Sequence, residues 1–279
     1  MWLNLKDNLR QKTTDKRLKV FVERSLVFGL WSSIFLTGCA SWGTYNAATG
    51  RHEFIIIPTT DEIAMGENIN QDLRRQYKFV DEGPQLDRLR RIGLKVAQVS
   101  DRQDFSYHFY LIEAKELNAF TVPGGSVYMY TGLMDKLATD DQIASVLAHE
   151  IGHCAARHTV KKFQAALGYN LIGNLVLGQI ESQATQDLAA LTSGMVMNVV
   201  FSAYSRHDEY EADKLGVKYT YLSGYDPNAS VESLEILQKE MKGLRMPLIL
   251  QSHPFLEDRI KEVKKEIPLV KGEFEGGMT

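Results

Sequence analysis

The chain has 279 residues, 44% of them hydrophobic and 24% charged, a composition that suits one globular domain with a sizeable core and excludes a disordered or repetitive protein. Its formal net charge of -3, with no basic cluster in the body of the chain, excludes nucleic acid as a partner.

Residues 1–24 carry seven basic and three acidic side chains, and residues 25–38 form an uncharged, largely apolar run that ends at Cys39. The run is too short for a comfortable membrane span, whereas a basic region, a short apolar region and small residues before a cut describe a secretory signal. Leu36-Thr37-Gly38-Cys39 resembles the lipobox of bacterial lipoproteins. That resemblance makes residues 1–38 a signal peptide of lipoprotein type and Cys39 an acylated anchor to the membrane. An uncleaved anchor or an ordinary signal is the competing reading. Ala40, unlike Asp, resembles lipoproteins sent to the outer membrane, so the expected location is the periplasmic side of a bacterial envelope, outer membrane ahead of inner. Without residues 1–38 the chain keeps 25 basic and 32 acidic residues, so lipid and not charge would hold it at a membrane. With Cys39 acylated, only Cys154 remains and no internal disulfide is expected.

Small and polar residues make 39–53 a tether, and Phe54-Ile55-Ile56-Ile57 before Pro58 a short docking strand that opens a domain over residues 54–270. Thr59-Thr60-Asp61-Glu62 starts a helix with Ile63, Ile69 and Leu73 on one face, and Leu86, Leu89, Ile92 and Val96 mark a second. Residues 105–112 alternate as a strand, on which the lone His108 is structural. Residues 118–130 turn through Pro123-Gly124-Gly125 into the β-rich run Ser126-Val127-Tyr128-Met129-Tyr130. An exposed strand edge here would bind an extended peptide through main-chain hydrogen bonds; the alternative is a plain hairpin in the core sheet.

Thr139-Asp140-Asp141-Gln142 has the form of a capping box, and Ile143, Val146, Leu147, Ile151 and Ala155 recur behind it at helical spacing. That helix carries His149-Glu150-Ile151-Gly152-His153. Residues four apart share a helix face, so the imidazoles of His149 and His153 reach one ion while Glu150 is left free as a base. Hydrolysis at zinc needs two neutral nitrogen ligands and such a carboxylate; a core helix with two satisfied histidines is the bland alternative. Ala156 and Thr159 stand where the metzincin pattern needs Gly and His, so the third ligand comes from farther away. Cys154 points away from the metal and reads as a small buried hydrophobe. His158, with Lys161 and Lys162 on the charged end of the helix, is expected at the surface, as are His52 and His207.

Residues 163–180 and 188–204 lack charge and read as helices packed on the active-site helix, or as a hydrophobic surface for lipid or unfolded clients. Glu209 and Asp213 lie four apart on a further helix. One such carboxylate can bind zinc while the other accepts the second ring proton of a ligand His, against the bland reading of a solvated acidic face. Glu209 is taken as the third ligand and Asp213 as the residue that orients His149. Gly224-Tyr225-Asp226-Pro227 is a turn, residues 229–242 an amphipathic helix, and the Gly-rich, charged residues 271–279 a flexible tail.

His149 to His153, Ser205-Arg206 with Glu209-Tyr210-Glu211-Ala212-Asp213, Asn118 to Gly125, and Ser252-His253-Pro254 with Arg259 together resemble the CAAX prenyl protease and Oma-type zinc metallopeptidases. In layout they are most similar to the bacterial periplasmic lipoprotein branch, that of the β-barrel assembly-enhancing proteases. The resemblance runs from about residue 60 to residue 267. It implies that His253 and Arg259 lie at the active site. There His253 steadies the oxyanion of the tetrahedral intermediate or takes the metal's open position as an inhibitory fourth ligand; a helix-capping loop histidine is the bland reading.

The expected fold is α+β, mostly helical and gluzincin-like, with an active-site helix and a small sheet bearing a substrate edge strand. One zinc ion per chain is held by His149, His153 and Glu209, with Glu150, Asp213, His253 and Arg259 in catalytic roles. The expected function is a zinc metalloendopeptidase of polypeptides, misfolded or misassembled envelope proteins among them. A membrane-anchored chaperone or assembly factor with latent protease activity is the runner-up, and a hydrolase of a lipid or small molecule a weaker third.

Overall fold

The computed structural model describes residues 43–176, 193–240 and 247–275. The expected signal peptide with Cys39, the middle of the apolar stretch between the two metal motifs, and the end of the expected tail lie outside the described residues. The described residues fall into two units, 43–45 with 52–54 in one and 46–51 with the described residues from 55 to 275 in the other. Two short strands, β1 (Thr44–Asn46) and β2 (Arg51–Glu53), stand where a tether is expected. The expected strand over 54–57 does not form: the Ile56 N–H donates to the Gln164 side chain at 2.8 Å, and of the four residues Ile57 alone is buried.

The second unit is α+β and mostly helical. After Pro58 come α1 (Thr59–Gln76), β3 (Phe79–Val80), α2 (Pro84–Ala97), β4 (His108–Ile112), β5 (Ala119–Val122) and β6 (Ser126–Tyr130). The strands form a sheet in the order β3-β4-β6-β5, with β4 and β6 parallel and the other pairs antiparallel. Strand alternation divides their side chains between two cores. Phe109, Leu111, Val127 and Met129 join Leu86, Leu89, Ile92 and Val96 of α2. Ile112, Phe120, Tyr128 and Tyr130 join Ile69 and Leu73 of α1. With both faces covered, β5 and β6 are buried along their whole lengths. Of the expected hairpin, the β-rich run 126–130 is therefore an interior strand and β5 an edge strand, β3 being the other edge of the sheet.

Helices α3 (Thr131–Lys136), α4 (Asp140–Ala155), α5 (His158–Val176), α6 (Ser193–Val200), α7 (Arg206–Leu222), α8 (Ala229–Glu240), α9 (Ile249–Ser252) and α10 (Leu256–Glu275) complete the unit. Helix α10 continues through residues 271–275, so this part of the expected tail is ordered helix. Among the described residues no helix is long and apolar enough to cross a membrane.

Helix α4 is buried from Gln142 to Ala155, which is possible because its side chains are apolar on nearly every face. The Thr139 side chain caps it by accepting the Gln142 N–H at 3.1 Å, but the Gln142 side chain reaches back to the N–H of Ala138, so the capping box is not reciprocal. Helix α7 packs on α4 in backbone contact. A Cβ added at Gly152 would lie 2.9 Å from the Ala212 carbonyl oxygen, and one at Gly216 would lie 3.2 Å from the His149 Cα. At the start of α7, Ser205 and Asp208 close a full capping box, which fixes the first turn and with it Glu209.

Candidate metal centre

The glycine-mediated contact of α4 with α7 brings His149, His153 and Glu209 together. The Nε2 atoms of His149 and His153 are 3.1 Å apart, and Glu209 Oε1 lies 3.4 Å from His153 Nε2. His253, at the C-terminal end of α9, adds Nδ1 at 3.0 Å from Glu209 Oε1 and 3.3 Å from His149 Nε2. A tetrahedral zinc ion with bonds of about 2.0–2.1 Å holds its ligand atoms about 3.3–3.4 Å apart. Three imidazoles and a carboxylate at these spacings, all buried, fit one metal ion.

Glu150 is fully buried, and neither of its carboxylate oxygens accepts a hydrogen bond from a described residue. Such a group is costly unless chemistry uses it. It borders the four donors, with His253 Nε2 3.5 Å from Oε1. It also borders a cavity of about 40 Å³ whose apolar wall is Val146, Leu234, Leu237 and Ile249.

Behind His149, Asp213 Oδ1 sits 2.9 Å from Nδ1, the ring nitrogen turned away from the cluster. Arg259 donates to both Asp213 oxygens, at 2.8 and 2.7 Å, and places Nη1 2.6 Å from Glu209 Oε2. Burial works to raise the Glu209 carboxyl, yet Arg259 and His253 hold it well below its ordinary 4.5. Burial likewise opposes the Asp213 charge, and Arg259 with His149 overcomes it, so Asp213 lies below its ordinary 3.8. Burial drives His153 well below 6.5 and keeps it neutral, as a metal ligand must be.

His158 does not lie at the surface as expected; it is buried. Helix α4 stops at Ala155, Arg157 adopts a left-handed φ of 57°, and the chain starts α5 at His158. The reversal folds the His158 ring back against His153, Nδ1 to Nδ1 at 2.9 Å, with its Nε2 3.1 Å from Glu211 Oε2. Tyr204 stacks on the His153 ring with centroids 3.9 Å apart, and its N–H donates to the Ser252 carbonyl just ahead of His253. Lys162 lies over the Tyr204 ring and donates to the Val200 and Ser202 carbonyls, and burial lowers its ammonium to about 8. Cys154 is a buried neighbour of Thr121, its thiol pushed up to about 12 by burial, and His207 is exposed; both agree with expectation.

A buried ion pair anchors the other side of the site. Glu62 accepts from both Arg102 and the Gly124 N–H, while Arg102 also donates to the Cys154 carbonyl near the end of α4. The turn after β5 and the metal helix thus share one anchor. Gly124 and Gly125, with φ of 79° and 82°, supply the backbone that this turn requires.

The chain is similar to the β-barrel assembly-enhancing protease of Escherichia coli K12, at 28% identity over 215 residues that cover 73% of this chain and 43% of that protein. It is 28% identical over 180 residues to the mitochondrial metalloendopeptidase OMA1 of Schizosaccharomyces pombe, covering 64% of this chain and 52% of that one. Metalloprotease LoiP of Escherichia coli K12 is 30% identical over 164 residues, covering 58% and 62%. The chain spans about half the length of these relatives. A family model, that of peptidase family M48, matches residues 85–267. The match takes in most of the chain and every donor of the cluster, and the chain belongs to peptidase family M48.

Proposed function

We propose that the chain is a zinc metalloendopeptidase acting on polypeptides at the periplasmic side of a bacterial envelope. The observation that carries this reading is the buried carboxylate of Glu150, free of hydrogen bonds from described residues, beside four donor atoms at metal-ligand spacing. A structural zinc site closed by four protein ligands has no use for a base, so Glu150, and not the number of donors, carries the catalytic reading.

His149, His153 and Glu209 would hold the ion. When bound, zinc supplies Lewis-acid chemistry, polarising the scissile carbonyl and lowering the pKa of the attacking water. Glu150 takes the water's proton on a carboxylate oxygen and returns it to the leaving amine nitrogen. Asp213 accepts the Nδ1 proton of His149 and so fixes its tautomer, while Arg259 holds Asp213 and Glu209 in place. His253 Nδ1 is the fourth donor of the cluster; with zinc bound it would occupy the position that a catalytic site keeps open, and the ring would have to leave it for substrate to enter. Main-chain pairing with an extended peptide tolerates many sequences and suits misfolded clients, but β5 is buried along its whole length and offers no open edge in this arrangement. The name of the Escherichia coli relative, β-barrel assembly-enhancing protease, supports envelope proteins as substrates, and the lipobox-like Leu36-Thr37-Gly38-Cys39 supports a lipid anchor on Cys39.

Zinc content and casein cleavage, measured side by side on the full chain and its variants, test this reading. The native protein holds one zinc and cleaves. Glu150→Gln keeps zinc and cleaves at least about 100-fold more slowly, and Glu209→Gln loses zinc. His253→Ala cleaves faster than the native protein and holds zinc less tightly. If the native protein binds zinc without cleaving and His253→Ala is silent too, the protease reading fails and the chaperone reading replaces it.

A further inference from the structure

One buried histidine beside the cluster has no part in the chemistry above. We infer that His158 is the positioning residue of the second metal ligand, carrying the Nδ1 hydrogen bond of His153 onward to Glu211; the inference rests on His153 being a zinc ligand.

A histidine that binds metal through one ring nitrogen leaves the other as an N–H donor, and in a buried site that donor needs an acceptor. His149 has Asp213 for this purpose. His153 turns Nε2 to the cluster, and its Nδ1 faces His158 Nδ1 at 2.9 Å. Two imidazole nitrogens at that distance share one proton. With Nε2 engaged by the ion, the proton sits on His153 Nδ1, so His158 Nδ1 accepts and His158 carries its own proton on Nε2. That Nε2 lies 3.1 Å from Glu211 Oε2 and 3.5 Å from Asp208 Oδ1. Glu211 is held in turn by Arg51, 2.7 Å from Oε1. His158 thus stands to His153 as Asp213 stands to His149, with an imidazole inserted before the carboxylate. The insertion has an electrostatic reason. Glu209, Asp213 and Glu150 already place three carboxyl groups in the interior, where Arg259 is the guanidinium that faces the first two. A fourth directly on His153 would have no partner there, whereas the neutral imidazole moves that charge out to Glu211, which Arg51 neutralises at the rim.

The test is zinc affinity, by chelator competition on the full chain, for the native protein, His158→Asn and His158→Phe. The Asn Oδ1 sits near the place of the lost Nδ1 and accepts the same N–H; Phe fills the volume of the ring and accepts nothing. The expected result is that His158→Phe binds zinc about 10–100-fold more weakly and His158→Asn recovers most of the loss. Melting temperatures of the metal-stripped proteins should rank the other way, since Phe packs better than Asn. Affinity that follows volume, with Phe near native and Asn weakest, overturns the inference and leaves the zinc site standing, as does native affinity in both. A native chain that binds no zinc overturns the zinc reading and this inference together. If His158→Phe does not fold, Glu211→Gln decides in its place: a loss of about 10-fold supports the relay, and native affinity overturns it.

Discussion

Glu209 and Asp213 keep their charges in the interior because the Arg259 guanidinium faces both. Burial alone would raise both carboxyls; with Arg259 present each lies below its ordinary value. In metal-stripped protein the folded state therefore binds fewer protons than the unfolded chain as the carboxylates titrate. The stability these groups supply is complete above the ordinary carboxylate range and is lost as pH falls from that range through the lowered values of the folded state. Urea midpoints of the chelator-treated protein should fall steeply below about pH 4.5, and Glu209→Gln should show a shallower fall. At this scale the reading of the sequence goes furthest for His149, Glu150 and His153, whose positions follow from helix geometry alone. His253 and Arg259 come only from resemblance, since nothing in their spacing ties them to residues about a hundred positions away. The sequence places His158 at the surface because a helix continued past Ala155 would turn it outward, whereas the structure buries it. The break is made by Arg157 in a left-handed conformation, which neither Gly nor Asn announces.

Helices are legible when their apolar period or their caps are plain, as in α2 and α4. What the period does not reveal is how closely two of them approach. Gly152 reads as a filler inside the metal motif, yet with Gly216 it lets α7 touch the α4 backbone and so delivers Glu209 to the histidines. An alanine at either position needs a backbone shift. Gly152→Ala should cost about 1–3 kcal/mol, seen as a lower melting temperature of metal-stripped protein, and should weaken zinc binding by moving Glu209. Native zinc affinity at reduced stability would separate helix spacing from ligand geometry. Sheet order was equally hidden. Residues 119–122 and 126–130 pair as the hairpin that their turn suggests, but β4 inserts parallel to β6 on its far side, and of the two only β5 is left at an edge. Alternation gives each strand two faces and says nothing of its neighbours.

Across the whole molecule, the fold class was legible because composition and periodicity favour helices around a small buried sheet. The family was legible because four short motifs stand in one order, and the family match over residues 85–267 of this chain spans them. The donors of the cluster lie far apart along the chain, His149 and His253 by 104 positions. That separation has a meaning in time. Contacts this remote close after local helices and hairpins have formed, because loop closure must precede them. A metal site that forms only after the rate-limiting state of folding would let a bound ion affect escape from the native state alone. At a zinc concentration about 100 times its dissociation constant, unfolding should slow by about 100-fold while refolding keeps its metal-free rate. Stopped-flow unfolding and refolding with and without zinc would measure both arms. A faster refolding arm would mean that the ligands gather early, with the ion as a nucleus of folding in place of a lock on its end state.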